Sequence, residues 1–222
     1  MNLPILSLIT FTPLVGALAL AAIPSRHDEL VRRTALGFAL LAWGLSLLLL
    51  AAFALGPGGF QFNETVDWIP AFGIQYKLGV DGLSILMVVL TTTLTWISIL
   101  ASFGPITERV KGYMISFLVL EVGMIGVFIA LDFFLFSIFW EIVLVPMDLI
   151  IGIWGGSNRI YATMKFVLYT LVGSEMCIRD SLSWISILAS FGPIKERVKE
   201  YMVSFLILEV GMLGVFLSLI HI

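Results

Sequence analysis

Apolar residues along this chain come in long unbroken runs. They show neither the alternation of a half-buried strand nor the spaced stripe of a surface helix. Five runs are long enough to cross a bilayer as helices: Pro4–Ile23, Val31–Leu55, Gly82–Phe103, Tyr113–Leu131 and Phe133–Trp154. A sixth begins near Tyr161. This pattern predicts an all-α polytopic membrane protein, because a helix satisfies its own backbone hydrogen bonds where no water is available. A transmembrane barrel would show short alternating segments, and none occurs. The first run resembles a signal sequence, since Ala19-Leu20-Ala21 fits a small-x-small cleavage pattern. It lacks a basic start, however, and Arg26, Arg32 and Arg33 follow the apolar run. An uncleaved first helix is expected.

Composition sharpens this picture. Of 222 residues, 60% are hydrophobic and only 12% charged, against about half and about a quarter in a soluble domain. The net charge of −3 is small, and no basic stripe points to nucleic acid. The placement of bases says more. Arg26, Arg32 and Arg33 lie between the first and second runs, Arg109 and Lys111 between the third and fourth, and Arg159 between the fifth and sixth. The segment Gly56–Leu78 holds one lysine, and the turn at Asp132 holds no base. The positive-inside rule therefore places the N-terminus outside and the basic loops in the cytoplasm.

The C-terminal part breaks the pattern. Residues 95–128 and 183–216 align without gaps, with 28 of 34 positions identical, and the near-duplicate pair extends over 94–128 and 182–216. Internal repeats of transporters are usually far weaker. Residues 175–181, Glu-Met-Cys-Ile-Arg-Asp-Ser, read as a translation of GAG ATG TGT ATA AGA GAC AG, which resembles the end of a transposon-based sequencing adapter. Residues 217–222, Leu-Ser-Leu-Ile-His-Ile, read as the same element reversed. An assembly chimera is expected: natural sequence over 1–174, adapter, a duplicated fragment, and adapter again. The rival is a genuine duplicated hairpin. Cys177 and His221 then carry no chemistry, and Glu209 merely echoes Glu121.

Within the natural part, Glu141 is the leading candidate for chemistry. It sits inside Phe133–Trp154, where a charged side chain costs roughly 2.5–3.5 kcal/mol on insertion scales. Such a residue faces protein or water and carries a proton or ion; the alternative is a structural acid hydrogen-bonded to a neighbouring helix. Pro146, one turn on, removes a backbone donor, and Asp148 adds a second acid on the same helix face. Lys165 in the sixth helix either pairs with Glu141 or snorkels to water. Glu121 is a second intramembrane acid, an auxiliary proton carrier or a packing hydrogen bonder. Gly123 and Gly126 beside it allow close helix approach. Asp81 and Asp132 stand where helix caps are expected. Trp43, Trp68 and Trp154 suit interfacial anchoring. The sequence contains no glycine-rich nucleotide loop, cysteine cluster or catalytic triad.

Several segments together carry a resemblance: the stretch from Gly73 to Leu90, Gly126-Val-Phe-Ile-Ala-Leu-Asp132, Phe139-Trp-Glu141-Ile-Val-Leu-Val-Pro-Met147, Gly152-Ile-Trp-Gly-Gly156 and Lys165-Phe-Val-Leu-Tyr-Thr170. Over about residues 1–173 the sequence resembles the antiporter-like subunit M family of proton-pumping NADH:quinone oxidoreductase, respiratory complex I. Asp148 departs from it, since tyrosine is usual there. The resemblance implies a truncated antiporter-like helical bundle in a bacterial inner membrane. It also implies proton translocation through Glu141, which matches the family's essential glutamate, with Lys165 on a recurring lysine of the sixth helix and lysines on later helices as partners; Glu121 joins these candidates for proton translocation on its position alone. The neighbours implied are the L-type and N-type membrane-arm subunits and the lipid bilayer. No cofactor is expected in this chain, with FMN, iron–sulfur clusters and quinone held by other subunits. An Mrp-type cation/proton antiporter subunit and a purely structural membrane scaffold are the competing functions.

The chimera generates its own test. Sequencing source DNA across codons 160–222 should show the frame running from Thr170 into new apolar sequence without the adapter-like codons. Recovery of the repeat from source DNA would establish the duplication as genuine.

Overall fold

The computed structural model describes residues 4–24, 27–54, 60–69, 74–156 and 158–170. The segments 175–181, 182–216 and 217–222 lie outside the described residues. Five helices of membrane-spanning length and apolarity are present: α1 (Ile5–Ala22), α2 (Asp28–Ala54), α3 (Gly82–Ala101), α4 (Val110–Ile129) and α5 (Phe133–Trp154). Each falls within a few residues of the run that predicts it. Residues 159–170 are also helical. The helices alternate in direction, and α4 is the central one. Twelve of its twenty residues are buried, against four of twenty-two in α5, and it packs on α1, α2, α3 and α5.

The segment between α2 and α3, expected only as a connection, folds into an antiparallel hairpin of β1 (Gln61–Ile69) and β2 (Ile74–Val80). Among the described residues the fold is therefore helical with one small sheet. Its signal is legible in retrospect: both segments are rich in aromatic and β-branched residues, and the sequence between them holds Pro70 and Gly73. The long apolar runs on either side mask so short a pattern.

The hairpin ties the bundle together at one end. Glu64 on β1 accepts hydrogen bonds from the backbone N–H groups of Leu6 (2.9 Å) and Ser7 (3.2 Å) and from the Ser7 hydroxyl. The first N–H groups of a helix have no intrahelical partner, and α1 has no side-chain cap at Pro4. A carboxylate supplied from 57 residues away fills that need and complements the helix dipole. The Ser7 hydroxyl also meets the Tyr76 hydroxyl at 3.0 Å. Burial raises the pKa of Tyr76 above its ordinary value, although its hydrogen bond with Ser7 works the other way. On β2, the Lys77 carbonyl accepts from the Leu131 N–H (2.9 Å), and Leu78 bridges Ala130, so the hairpin also holds the α4–α5 turn.

Asp81 and Asp132 cap α3 and α5 as expected. Asp81 accepts from the Ser84 N–H (2.7 Å), and Asp132 accepts from Phe134 (2.9 Å) and Leu135 (3.2 Å). The Ser84 hydrogen bond holds the Asp81 carboxyl below its ordinary range. Because the folded-state value is depressed, this cap stabilises at pH above the unfolded value and is lost as pH falls through the folded one.

At the opposite end the bases close the helices. Lys111 donates to the carbonyls of Ala21 (2.9 Å) and Ile23 (2.8 Å) at the end of α1. Arg32 donates to the carbonyls of Phe103 and Ile106 after α3. Arg159 donates to the Ile153 carbonyl near the end of α5 (2.9 Å). Trp154 donates to the Glu108 carbonyl here (2.8 Å), and exposed Trp68 packs on Phe134 at the hairpin end. Both suit anchoring. Trp43 does not: it lies midway along α2, donating to the Thr93 hydroxyl (3.0 Å) and packed on Trp96. A hydrogen-bond acceptor inside the bundle holds it there.

Replacing Glu64 with alanine removes charge-assisted hydrogen bonds worth about 1.5–3 kcal/mol each. Amide hydrogen exchange at Leu6 and Ser7 should accelerate by at least an order of magnitude in Glu64→Ala, while amides in α4 keep their protection.

Candidate functional site: the acids of α4 and α5

α4 and α5 run antiparallel through a turn of three residues, so their register fixes which acids share a depth. Gly123 faces Ile142 and Val143, and Gly126 faces Phe139. A Cβ at Gly126 would lie 2.2 Å from the Phe139 ring, and one at Gly123 would lie 2.7 Å from the Val143 side chain and 3.0 Å from its backbone nitrogen. Only glycine permits this approach. The close packing expected of these two residues is therefore present, and it is made with α5.

In that register, Glu121 lies opposite about residue 144 of α5. Glu121 and Glu141 then differ in depth by about 4–5 Å at 1.5 Å per residue. Both acids sit near the middle of their helices. Their surroundings differ sharply. Glu141 is partly buried and lines an open groove of about 530 Å³ with Val119, Phe134, Ser137, Ile138, Ile142, Val145 and Pro146. The groove is apolar apart from Glu141 and Ser137, and the Ser137 hydroxyl is turned to the Phe133 carbonyl (2.9 Å). Glu121 is fully buried within the core, with 0% exposure.

α5 continues unbroken through Pro146. Pro146 has no N–H to offer the Ile142 carbonyl, so a backbone acceptor next to Glu141 in sequence lacks its helical donor. Asp148 is partly exposed, and its Oδ1 is buried with no hydrogen-bond partner among the described residues.

Lys165 is exposed on the 159–170 helix, its ammonium 5.7 Å and 5.9 Å from the ring centroids of Tyr161 and Tyr169. This helix meets α5 where Gly152 faces Thr163. That register puts Lys165 level with about residue 150, about 14 Å in depth from Glu141. The arrangement separates Lys165 from Glu141 in depth and leaves its ammonium between the rings of Tyr161 and Tyr169.

The hairpin clasp of Glu64, Ser7 and Tyr76 and the buried hydroxyls Ser46 and Thr92 escape a reading of the sequence. Hydroxyl residues are common in membrane helices, and Glu64 stands in what reads as a loop.

Comparison with known proteins places this geometry. Residues 130–220 match a family model described as NADH:quinone oxidoreductase/Mrp antiporter, TM. Over 178 residues the chain is 52% identical to NADH-quinone oxidoreductase subunit M of Rhodobacter capsulatus, covering 78% of this chain and 34% of that protein. It is 44% identical over 174 residues to NADH-ubiquinone oxidoreductase chain 4 of Chondrus crispus, covering 78% and 35%. A chain of respiratory complex I from Thermus thermophilus with bound NADH superposes with a TM-score of 0.68 at 30% identity, covering 85% of this chain and 37% of that one. A chain of the archaeal membrane-bound sulfane sulfur reductase shares the fold at 18% identity and a TM-score of 0.70. The fold is that of an antiporter-like polytopic membrane subunit, and the chain is similar to subunits of the NADH:quinone oxidoreductase type. Within that class the likeness is to subunit M. The chain spans about a third of the length of the curated relatives it matches.

The glycine contact generates a direct test. Gly126→Ala forces α4 from α5 and should destabilise the helix pair by about 1–3 kcal/mol, the usual effect of overpacking. Unfolding in detergent should show it, with Gly156→Ala, where a Cβ meets open space, as the control.

Proposed function

We propose that the full-length protein is a membrane-arm subunit of NADH:quinone oxidoreductase that moves protons across a bacterial inner membrane. NADH oxidation and quinone reduction belong to other subunits, which carry the FMN and iron–sulfur clusters. The observation that carries this reading is Glu141. A carboxyl group sits at mid-membrane depth in an apolar groove lined by α5 and by Val119 of α4.

The physical logic is differential stabilisation. A carboxyl in such a groove ionises when a cation approaches and takes up a proton when the cation withdraws. Each unit of swing in its proton affinity corresponds to about 1.4 kcal/mol. Lysines on later helices, implied by the resemblance, would supply the movable cation. The break in the backbone ladder at Pro146 supports this by leaving a polar acceptor beside the acid. L-type and N-type antiporter-like subunits would flank it in the membrane arm. The segregation of Arg32, Arg33, Arg109, Lys111 and Arg159 to one end of the bundle supports an orientation with that end in the cytoplasm and the N-terminus outside.

Glu141→Gln in the full-length subunit should lower proton pumping and coupled NADH:quinone turnover by at least tenfold, with the complex still assembled. Wild-type rates in that variant would remove Glu141 from the mechanism.

A further inference from the structure

The bundle core consists of two apolar clusters. One lies toward the hairpin and includes Leu6, Leu49 and Ile125; the other lies toward the basic end and includes Leu20, Ala39 and Leu118. Near their junction, four helices bury polar side chains: Thr10 of α1, Ser46 of α2, Thr92 of α3 and Glu121 of α4, each at 0% exposure. The hydroxyls are satisfied. Ser46 and Thr92 bond each other at 2.9 Å, and Thr10 donates to the Leu6 carbonyl at 2.8 Å. Glu121 is the exception. Both of its carboxyl oxygens are buried, and neither has a hydrogen-bond partner among the described residues.

No described base is placed to neutralise it. α1 and α3 contain no charged residue. Arg32 and Arg33 lie in the first turns of α2, where Arg32 is engaged with the Phe103 and Ile106 carbonyls and Arg33 with Glu29 (2.7 Å). Lys111 is on the same helix as Glu121, but ten residues away, about 15 Å along the axis, and it is engaged with α1. An ionised carboxylate without a partner in such surroundings is the costly form. The neutral acid still needs hydrogen bonds, and an internal water making two to four of them is the usual solution.

We propose that Glu121 is a proton-binding site sealed inside the α1–α4 bundle: it holds a proton as the neutral acid and, with an internal water, completes the buried hydroxyl layer. It is separate from the groove of Glu141. Gly123 and Gly126 turn the α5-facing side of α4 to that helix, and Glu121, two residues from Gly123, projects about 160° away from it at 100° per residue. The inference needs only the membrane bundle, and it stands whether or not Glu141 pumps.

The test is infrared spectroscopy of the full-length subunit in its assembled complex, with carboxyl-labelled glutamate in mildly alkaline buffer. The wild type should show a protonated-carboxyl band. One component of that band should be lost in Glu121→Gln, seen as a loss in the difference spectrum against the wild type, and should be retained in Glu141→Gln. The Glu121→Gln complex should assemble to wild-type levels, because the amide copies the shape and neutrality of the acid. The same loss should appear in Glu121→Asp, where the remaining acid is unlabelled, which tests the assignment even without the amide variant. A difference spectrum with no protonated-carboxyl loss in these variants, or loss of the same component in Glu141→Gln, would overturn the assignment.

Discussion

Gly126 and Phe139 occupy a space that admits no side chain at position 126, and most of the site follows from this contact. In a bilayer, lipid tails are as apolar as leucine, so burying apolar surface gives helices little reason to associate. Close van der Waals packing through small residues does. With Gly123 and Gly126 against α5, the register of the helix pair is set, and with it the depth of two carboxyl groups. The same contact sends them to opposite environments. One face of α4 is consumed by α5, so Glu121 points into the bundle, while Glu141 lies in a groove that α5 lines with Val119 of α4.

The two ends of the bundle solve one problem by different chemistry. Every helix leaves N–H groups bare at its start and carbonyls bare at its end. At the hairpin end the solution is acidic: Glu64, Asp81 and Asp132 accept from the starts of α1, α3 and α5. At the other end it is basic: Lys111, Arg32 and Arg159 donate to carbonyls at or beyond the ends of α1, α3 and α5. Up-and-down connectivity places like termini of these three helices at the same end. Three of the six bases that the positive-inside rule reads from loops, Arg32, Lys111 and Arg159, also complete the helix ends.

Much of this was legible in the sequence because length and apolarity suffice to mark a membrane helix. The five spans and the Asp81 and Asp132 caps are local properties, and the structure places them within a few residues of expectation. Gly123 and Gly126 were legible as points of close approach, though not as contacts with α5 in particular. The hairpin was not legible, because a short amphipathic pattern between two long apolar runs reads as a connection. Trp43 looked interfacial by residue type, but its hydrogen-bond partner Thr93 lies 50 residues away. The distance in depth between Lys165 and Glu141 was likewise hidden, since it depends on where Gly152 meets Thr163 and on no spacing within one helix. Burial of Glu121 is a tertiary fact of the same kind.

The clasp between Glu64 and the start of α1 also bears on how the protein is made. α1 precedes the hairpin in the chain, and the acid that satisfies its leading N–H groups belongs to a strand synthesised only after α2. Until that strand is made, those N–H groups lack this acceptor. A short element between two apolar helices thus ties the completion of one helix end to a segment that is made later.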